Sequence, residues 1–153
     1  FRLLNENKPK DTAVTIAILN YNGQEMLEAY LPKVLYSSSG NFDICVIDNA
    51  STDDSVEYLE QWHPEVKIVQ LTENHGFAGG YNEGLKKINA EFFIIVNSDI
   101  EVTKNWILPL IKVLKNNTNI SAVQPKIKSY NNKDYFEYSG FKKPKIKTML
   151  DEY

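Results

Sequence analysis

Asp99 has the setting that says most about chemistry. It closes Asn97-Ser98-Asp99 directly after the apolar stretch FFIIV, and Glu101 follows two residues later. A hard divalent cation is held by one or two carboxylates together with phosphate oxygens of a substrate, and this spot can supply the protein's part. The cation would offset charge that builds on a departing diphosphate. An Asn-x-Asp triplet is also an ordinary capped turn, and its position after a strand brings the ligand reading level with the turn reading. Three other apolar runs end in comparable polar clusters: Asn20-Tyr21-Asn22-Gly23, Asp48-Asn49 and Thr72-Glu73-Asn74-His75-Gly76. At any one of these places a turn is sufficient explanation, because Asn, Asp and Gly are turn residues.

Glycine placement argues for more than turns. Gly76, Gly79, Gly80 and Gly84 are four of the chain's seven glycines and crowd into one apparent helix. Each costs a helix ~1 kcal/mol relative to Ala. That cost makes sense where missing Cβ atoms admit another backbone or a bulky ligand such as a nucleotide. Gly76 falls where a helix N-terminus offers unpaired N–H groups to an anion. No Gly-Lys-Ser/Thr follows, and no Gly-x-Gly-x-x-Gly follows the first strand, so ATPase and NAD-dependent classes are disfavoured. His63 and His75 lie in different loops and Cys45 sits inside ICVI, which gives no zinc spacing and makes the thiol a core residue. A serine hydrolase lacks its Gly-x-Ser-x-Gly elbow. Trp62 and Trp106 fall on apolar helix stripes and read as core.

The elements that must position these residues alternate along the chain. Apolar runs at 14–19, 44–47, 66–71, 92–96 and 120–124 read as five strands. Between them lie four helices. The first carries Met26, Leu27, Tyr30, Leu31, Val34 and Leu35 at helical spacing, with a kink expected at Pro32. Ser51 and Asp54 resemble a capping box opening the second, which carries Val56, Leu59 and Trp62. The third spans 76–88, and the fourth carries Trp106, Ile107, Leu110, Ile111 and Leu114. Such alternation predicts an α/β fold, Rossmann-like, with a mostly parallel sheet and helices on both faces. Ligands of such sheets bind beyond the carboxyl ends of the strands, where the polar clusters fall. Residues 1–12 read as a leader, 13–127 as the core, and 128–153 as an irregular tail without strand or helix.

Composition sets the outer bounds. The chain has 153 residues, 17 Lys+Arg, 20 Asp+Glu, a net charge of −3, 42% hydrophobic and 24% charged residues. That is one globular domain rather than a disordered, collagen-like or coiled-coil chain. An acidic total with scattered Lys offers no basic face, so no nucleic-acid partner is expected. The longest apolar run is far short of the roughly 18–20 residues that span a bilayer. No signal segment opens the chain, so a cytoplasmic setting is expected, with Asn116 and Asn119 unglycosylated despite their Asn-x-Ser/Thr context. The start at Phe1 suggests a processed chain or a piece of a longer one. Lys142, Lys143, Lys145 and Lys147 would at most bring the tail to anionic lipid as a peripheral contact at the inner membrane face; a solvated tail is the simpler reading.

Four blocks in order, VTIAILNYNG, VIDNASTDDS, ENHGFAGGYNEGL and FFIIVNSDIEV, resemble the nucleotide-sugar domain of family 2 glycosyltransferases. Closest in flavour is the bacterial group that builds surface polysaccharides, including rhamnosyltransferase-like enzymes. The resemblance implies a GT-A fold, a UDP- or dTDP-sugar donor, Mg2+ or Mn2+, and inverting transfer to a glycan or lipid-linked acceptor. It implies that Asn20 and Tyr21 face the nucleoside and that Asp48 hydrogen-bonds the base, an acceptor-only carboxylate suiting an imide N–H. Asn74, Gly76, Gly79 and Asn82 would form the wall beside ribose and diphosphate. Asn97 and Asp99 fall on the family's Asp-x-Asp motif, with Asp99 as metal ligand and Asn97 a departure that loses one charge. The family's general base is a carboxylate well downstream. Asp134, Glu137, Asp151 and Glu152 stand in no matching context, so the base is expected beyond this chain. The whole reads as the donor-binding part of a glycosyltransferase. The alternative is a nonenzymatic nucleotide-binding or protein-interaction domain of the same fold.

Overall fold

The computed structural model describes residues 14–38, 42–132 and 134–138. The leader and the tail residues Lys142, Lys143, Lys145, Lys147, Asp151 and Glu152 lie outside them. Up to Trp106 the chain forms one compact unit, and from Ile107 a second.

The first unit runs β1 (Val14–Asn20), α1 (Gln24–Ser37), β2 (Asp43–Asp48), α2 (Ser55–Trp62), β3 (Lys67–Gln70), α3 (Gly76–Leu85) and β4 (Phe92–Asn97). The four strands pair in parallel in the order β3-β2-β1-β4. Central strands of such a sheet are covered on both sides, which is why β1 and β2 are nearly continuous apolar runs instead of alternating ones. Val14, Ile16, Ala17, Val46 and Ile47 are fully buried. Right-handed crossovers from β1 to β2 to β3 put α1 and α2 on one face, and the return from β3 to β4 puts α3 on the other. On the α3 face, Ala17, Ile47 and Leu71 pack with Tyr81, flanked by Leu19, Val69, Leu85 and Ile88. Burial pushes the Cys45 thiol, in the middle of β2, up to about 11. The direction of winding reverses between β1 and β4, the switch point where sheets of this kind hold ligands.

The second unit contains α4 (Ile107–Asn116), which buries Ile107, Leu110 and Ile111, and an antiparallel pair of β5 (Ile127–Lys128) and β6 (Phe136–Tyr138).

Four local expectations are corrected. Residues 120–124 form no strand: Ile120 N–H closes a turn onto Asn117 C=O, and pairing begins only at Ile127, with Lys128 and its partner strand Phe136–Tyr138 inside the tail expected to be irregular. Trp62 is 64% exposed, because it is the last residue of a two-turn helix whose buried positions end at Leu59. Met26 is exposed as well, leaving Leu27, Leu31 and Val34 as the buried stripe of α1, which continues through Pro32. Ser51 opens no capping box: α2 starts at Ser55, and the Ser51 hydroxyl is bound instead to the loop after β1.

Candidate functional site

The loops leaving β1 and β2 are stitched together by their own polar groups. Asn49 N–H donates to Asn20 C=O at 2.8 Å, Asn22 N–H to Ser51 Oγ at 2.9 Å, and Thr52 N–H to Asn22 Oδ1 at 2.7 Å. Gln24 N–H, at the start of α1, donates to Asp53 Oδ2 at 3.1 Å. Beneath this seam lie Asn20 and Asp48, 1% and 3% exposed. Asn20 Nδ2 donates to Asp48 Oδ1 and Ser51 Oγ, each at 3.2 Å, and Ser51 N–H donates to Asp48 Oδ2 at 3.0 Å. Both oxygens of Asp48 therefore accept within the protein, each with a further lone pair left.

Two features mark this seam as constrained. Asn20 Oδ1 is buried without a hydrogen-bond partner among the described residues. It faces Gly23, where a Cβ would stand 2.6 Å away, so a side chain there would displace the Asn20 amide from its bonds. Ala50 adopts φ 63°, a left-handed conformation that costs a non-glycine residue about 1 kcal/mol or more. Burial works against the Asp53 carboxylate, but hydrogen bonds from the Ser55 hydroxyl and the backbone N–H groups of Gln24 and Ser55 outweigh it and hold its pKa below the usual value.

Asn49 extends the seam to the third strand end. It is 2% exposed, and its Nδ2 donates to Asn74 Oδ1 at 2.8 Å and Gly76 C=O at 3.1 Å, while its Oδ1 accepts from His75 N–H at 3.0 Å. One side chain thus fixes the loop that opens α3, including Gly76 at φ 68°. Two other α3 glycines have different reasons. A Cβ at Gly80 would meet Leu19 and Asn49 at 2.8–3.1 Å, and one at Gly84 would meet Ile47 at 2.4–2.7 Å. The missing Cβ atoms of Gly80 and Gly84 serve contact with the sheet and its loops, so close ligand approach remains an explanation for Gly76 and Gly79.

The end of β4 is different. Asn97 and Asp99 are exposed, and no hydrogen bond or ion pair engages the Asp99 carboxylate among the described residues. Glu101 is held by Lys33 Nζ at 3.0 Å. No three His, Cys, Asp or Glu side chains among the described residues converge as a metal cage. A lone free carboxylate at the switch point fits a cation that draws its other ligands from a substrate and water.

The structure therefore brings Asn20, Asp48, Asn74 and Gly76 into one bonded system, with Tyr21, 50% exposed, beside it. Gly79 is half-buried, its pro-Cβ position 2.9 Å from His75 Cβ. Asn82 is exposed on α3, on a side away from buried Gly80, Tyr81 and Gly84, and no bond among the described residues joins it to the cluster. Sequence reasoning placed Asn49 at a strand end without giving it a role, read Ser51 as a helix cap, and passed over Tyr81. Tyr81 O–H donates to Val96 C=O at 2.9 Å and accepts from Leu19 N–H at 3.2 Å. Burial raises its pKa, with the Leu19 bond working the other way. The signal was present: a large residue between Gly80 and Gly84 lies on the helix face that those glycines press onto the sheet.

Comparison with known proteins decides the family. Residues 15–152 match the sequence profile described as glycosyl transferase family 2. The chain belongs to this family. A low-salt glycan biosynthesis hexosyltransferase of Haloferax volcanii is 32% identical over 121 residues, covering 74% of this chain and 36% of that protein. A dolichol-phosphate mannosyltransferase of Pyrococcus furiosus is 27% identical over 112 residues, 71% of this chain and 32% of that one. The chain thus spans about a third of the curated relatives it matches. Among solved structures, the mannosyltransferase PcManGT of Pyrobaculum calidifontis, in complex with GDP-Man and Mn2+, aligns with TM-score 0.50 and 25% identity over 61% of this chain and 31% of its own. S. aureus TarS 1–349 in complex with UDP-GlcNAc aligns with TM-score 0.60 over 76% of this chain and 38% of its own, and at 20% identity that likeness speaks to fold. The expected α/β architecture of GT-A type, a parallel sheet clad on both faces, is the one this family member has.

Proposed function

We propose that the chain is the donor-binding part of an inverting glycosyltransferase that takes a UDP- or dTDP-sugar and serves a glycan or lipid-linked acceptor. The observation that carries this reading is the contrast at the switch point: a bonded, buried polar seam after β1 and β2 shares the sheet edge with Asp99, an exposed carboxylate after β4 that has no partner among the described residues. Exposed Tyr21 offers an aromatic face to a base, and Asp48 has lone pairs left for an imide N–H. Asn74, Gly76 and Gly79, where α3 begins, form the wall beside ribose and diphosphate, with N–H groups of the helix N-terminus turned to the phosphates. Asn82, further along α3, takes part only at the margin of that wall. Asp99, with Asn97 beside it, holds Mg2+ or Mn2+ together with those phosphates. When bound, the cation offsets charge on the departing diphosphate. Transfer also needs a base to remove the acceptor proton, a role assigned here to a residue beyond this chain. A cytoplasmic setting near the inner membrane face belongs to the same reading. The relatives named as hexosyl- and mannosyltransferases, and the neighbour holding GDP-Man and Mn2+, support it.

Calorimetric titration with UDP, dTDP and GDP, each with Mn2+ and with EDTA, tests the proposal. The expected result is metal-dependent binding that prefers one base and is lost in Asp99→Ala. Equal affinity with and without EDTA in both proteins would refute the metal role. Donor hydrolysis or sugar transfer by the purified chain would exclude the nonenzymatic alternative.

A further inference from the structure

We infer that Tyr81 is a positioning residue that sets how far the nucleoside side of the switch point stands from its metal side. The inference rests on the donor-site reading above. In a parallel ladder the N–H and C=O of one residue turn to the same neighbour, and those of the next residue to the other. Asn20 C=O is turned to β2, where it accepts from Asn49 N–H, so Leu19 N–H is turned to β4. Leu19 and Asn97 are the last register pair between β1 and β4, which places Val96 C=O opposite Leu19 N–H. The Tyr81 hydroxyl stands on that terminal rung, 3.2 Å from Leu19 N and 2.9 Å from Val96 O.

No loop joins β1 directly to β4, so their carboxyl ends have no short covalent tie at the switch point. The seam holds Asn20 to β2 and the α3 loop, and leaves β4 out. The backbone ladder joins β1 to β4 up to Leu19 and Asn97, and Tyr81 adds a side chain across its last rung. Its ring is 4% exposed, wedged among Ala17, Ile47 and Leu71, with Phe77 edge-on at 5.3 Å between ring centres. An anchored hydroxyl gauges the gap between Leu19 and Val96, one residue before Asn20 on one strand and three before Asp99 on the other. A cation at Asp99 and a nucleoside at Asn20 are bridged by one diphosphate of fixed length, so this gap decides whether both can be engaged together. Misplacement on the scale of a fraction of an ångström is enough to lose that coupling.

The test compares wild type, Tyr81→Phe and Leu85→Ala by titrating the nucleotide that the wild type prefers, with Mn2+ and with EDTA, alongside thermal melting. In Tyr81→Phe the gain in affinity brought by Mn2+ should fall about tenfold, while affinity in EDTA stays within about twofold. Leu85→Ala loosens the same helix without touching the hydroxyl; it should lower the melting temperature and keep the Mn2+ gain. An unchanged gain in Tyr81→Phe, or an equal loss in Leu85→Ala, overturns the inference and leaves the donor site standing. A wild type that binds none of UDP, dTDP or GDP overturns the donor site and this inference with it. Should Tyr81→Phe fail to fold, Phe77→Leu frees the ring from outside and should lower the Mn2+ gain about threefold, an unchanged gain again overturning it.

Discussion

The carboxyl ends of β1 and β2 and the end of β4 share one edge of one sheet, yet they are built in opposite ways. At the first, Asn20, Asp48 and Asn49 are 1–3% exposed and bonded to Ser51, Asn74, His75 and Gly76. At the second, Asn97 and Asp99 face solvent. Apart from Asn20 Oδ1, the buried side-chain polar groups of the first end are bonded within the protein, so that end is ordered by folding before any ligand arrives. An exposed carboxylate costs nothing to leave open, and its conformation can be set by what it binds. One end is organised by folding, the other by occupancy.

Substitutions at the organised end should be felt as stability. Gly84→Val forces side-chain atoms against Ile47, already 2.4–2.7 Å from a Cβ at that position, and should cost about 3 kcal/mol in denaturant melts. Asn49→Asp keeps the acceptor for His75 N–H but turns a carboxylate toward Asn74 Oδ1 and Gly76 C=O. A loss of about 2 kcal/mol is expected, with faster amide exchange at residues 74–76. Equal exchange there would show that Asn49 does not hold the loop.

Acid should act on the same seam more weakly. The folded-state pKa of Asp53 lies below its ordinary 3.8, so its contribution is complete above that value and disappears as pH falls through the lower folded-state one. Asp53→Asn should remove under about 1 kcal/mol at neutral pH and flatten the acid limb of the stability profile. At the open end, Asp99→Asn should leave stability within about 0.5 kcal/mol of wild type while removing the metal response. A large drop in stability would mean that Asp99 belongs to the organised class, and the comparison would fail.

Much of this division was legible in the residues. Four polar clusters after four apolar runs located the edge, because strand periodicity and crossover handedness leave few ways to arrange them. The partners within the edge were harder to see. Ser51 reads as a cap because its spacing to Asp54 is local, whereas its actual partners, Asn20 and Asn22, are about thirty residues away and meet it only through the pairing of β1 with β2. The glycines of α3 reveal crowding but not its source; Ile47 and Asn49 become the source only when β2 is beneath them. Trp62 was misjudged because helical spacing places a residue on a stripe without saying where cover ends. The strand expected at 120–124 failed for a similar reason: β propensity supplies no partner.

The single thiol of Cys45 gives this architecture a clock. It lies in the middle of β2, 1% exposed, with its ionisation pushed up to about 11. Since only a thiolate reacts at an appreciable rate, an alkylating reagent at neutral pH will modify the chain only during excursions that strip β2 of its neighbours. The pace of labelling therefore reports how often the middle of the sheet comes apart, and a ligand that clasps both strand ends would slow it in proportion to its hold.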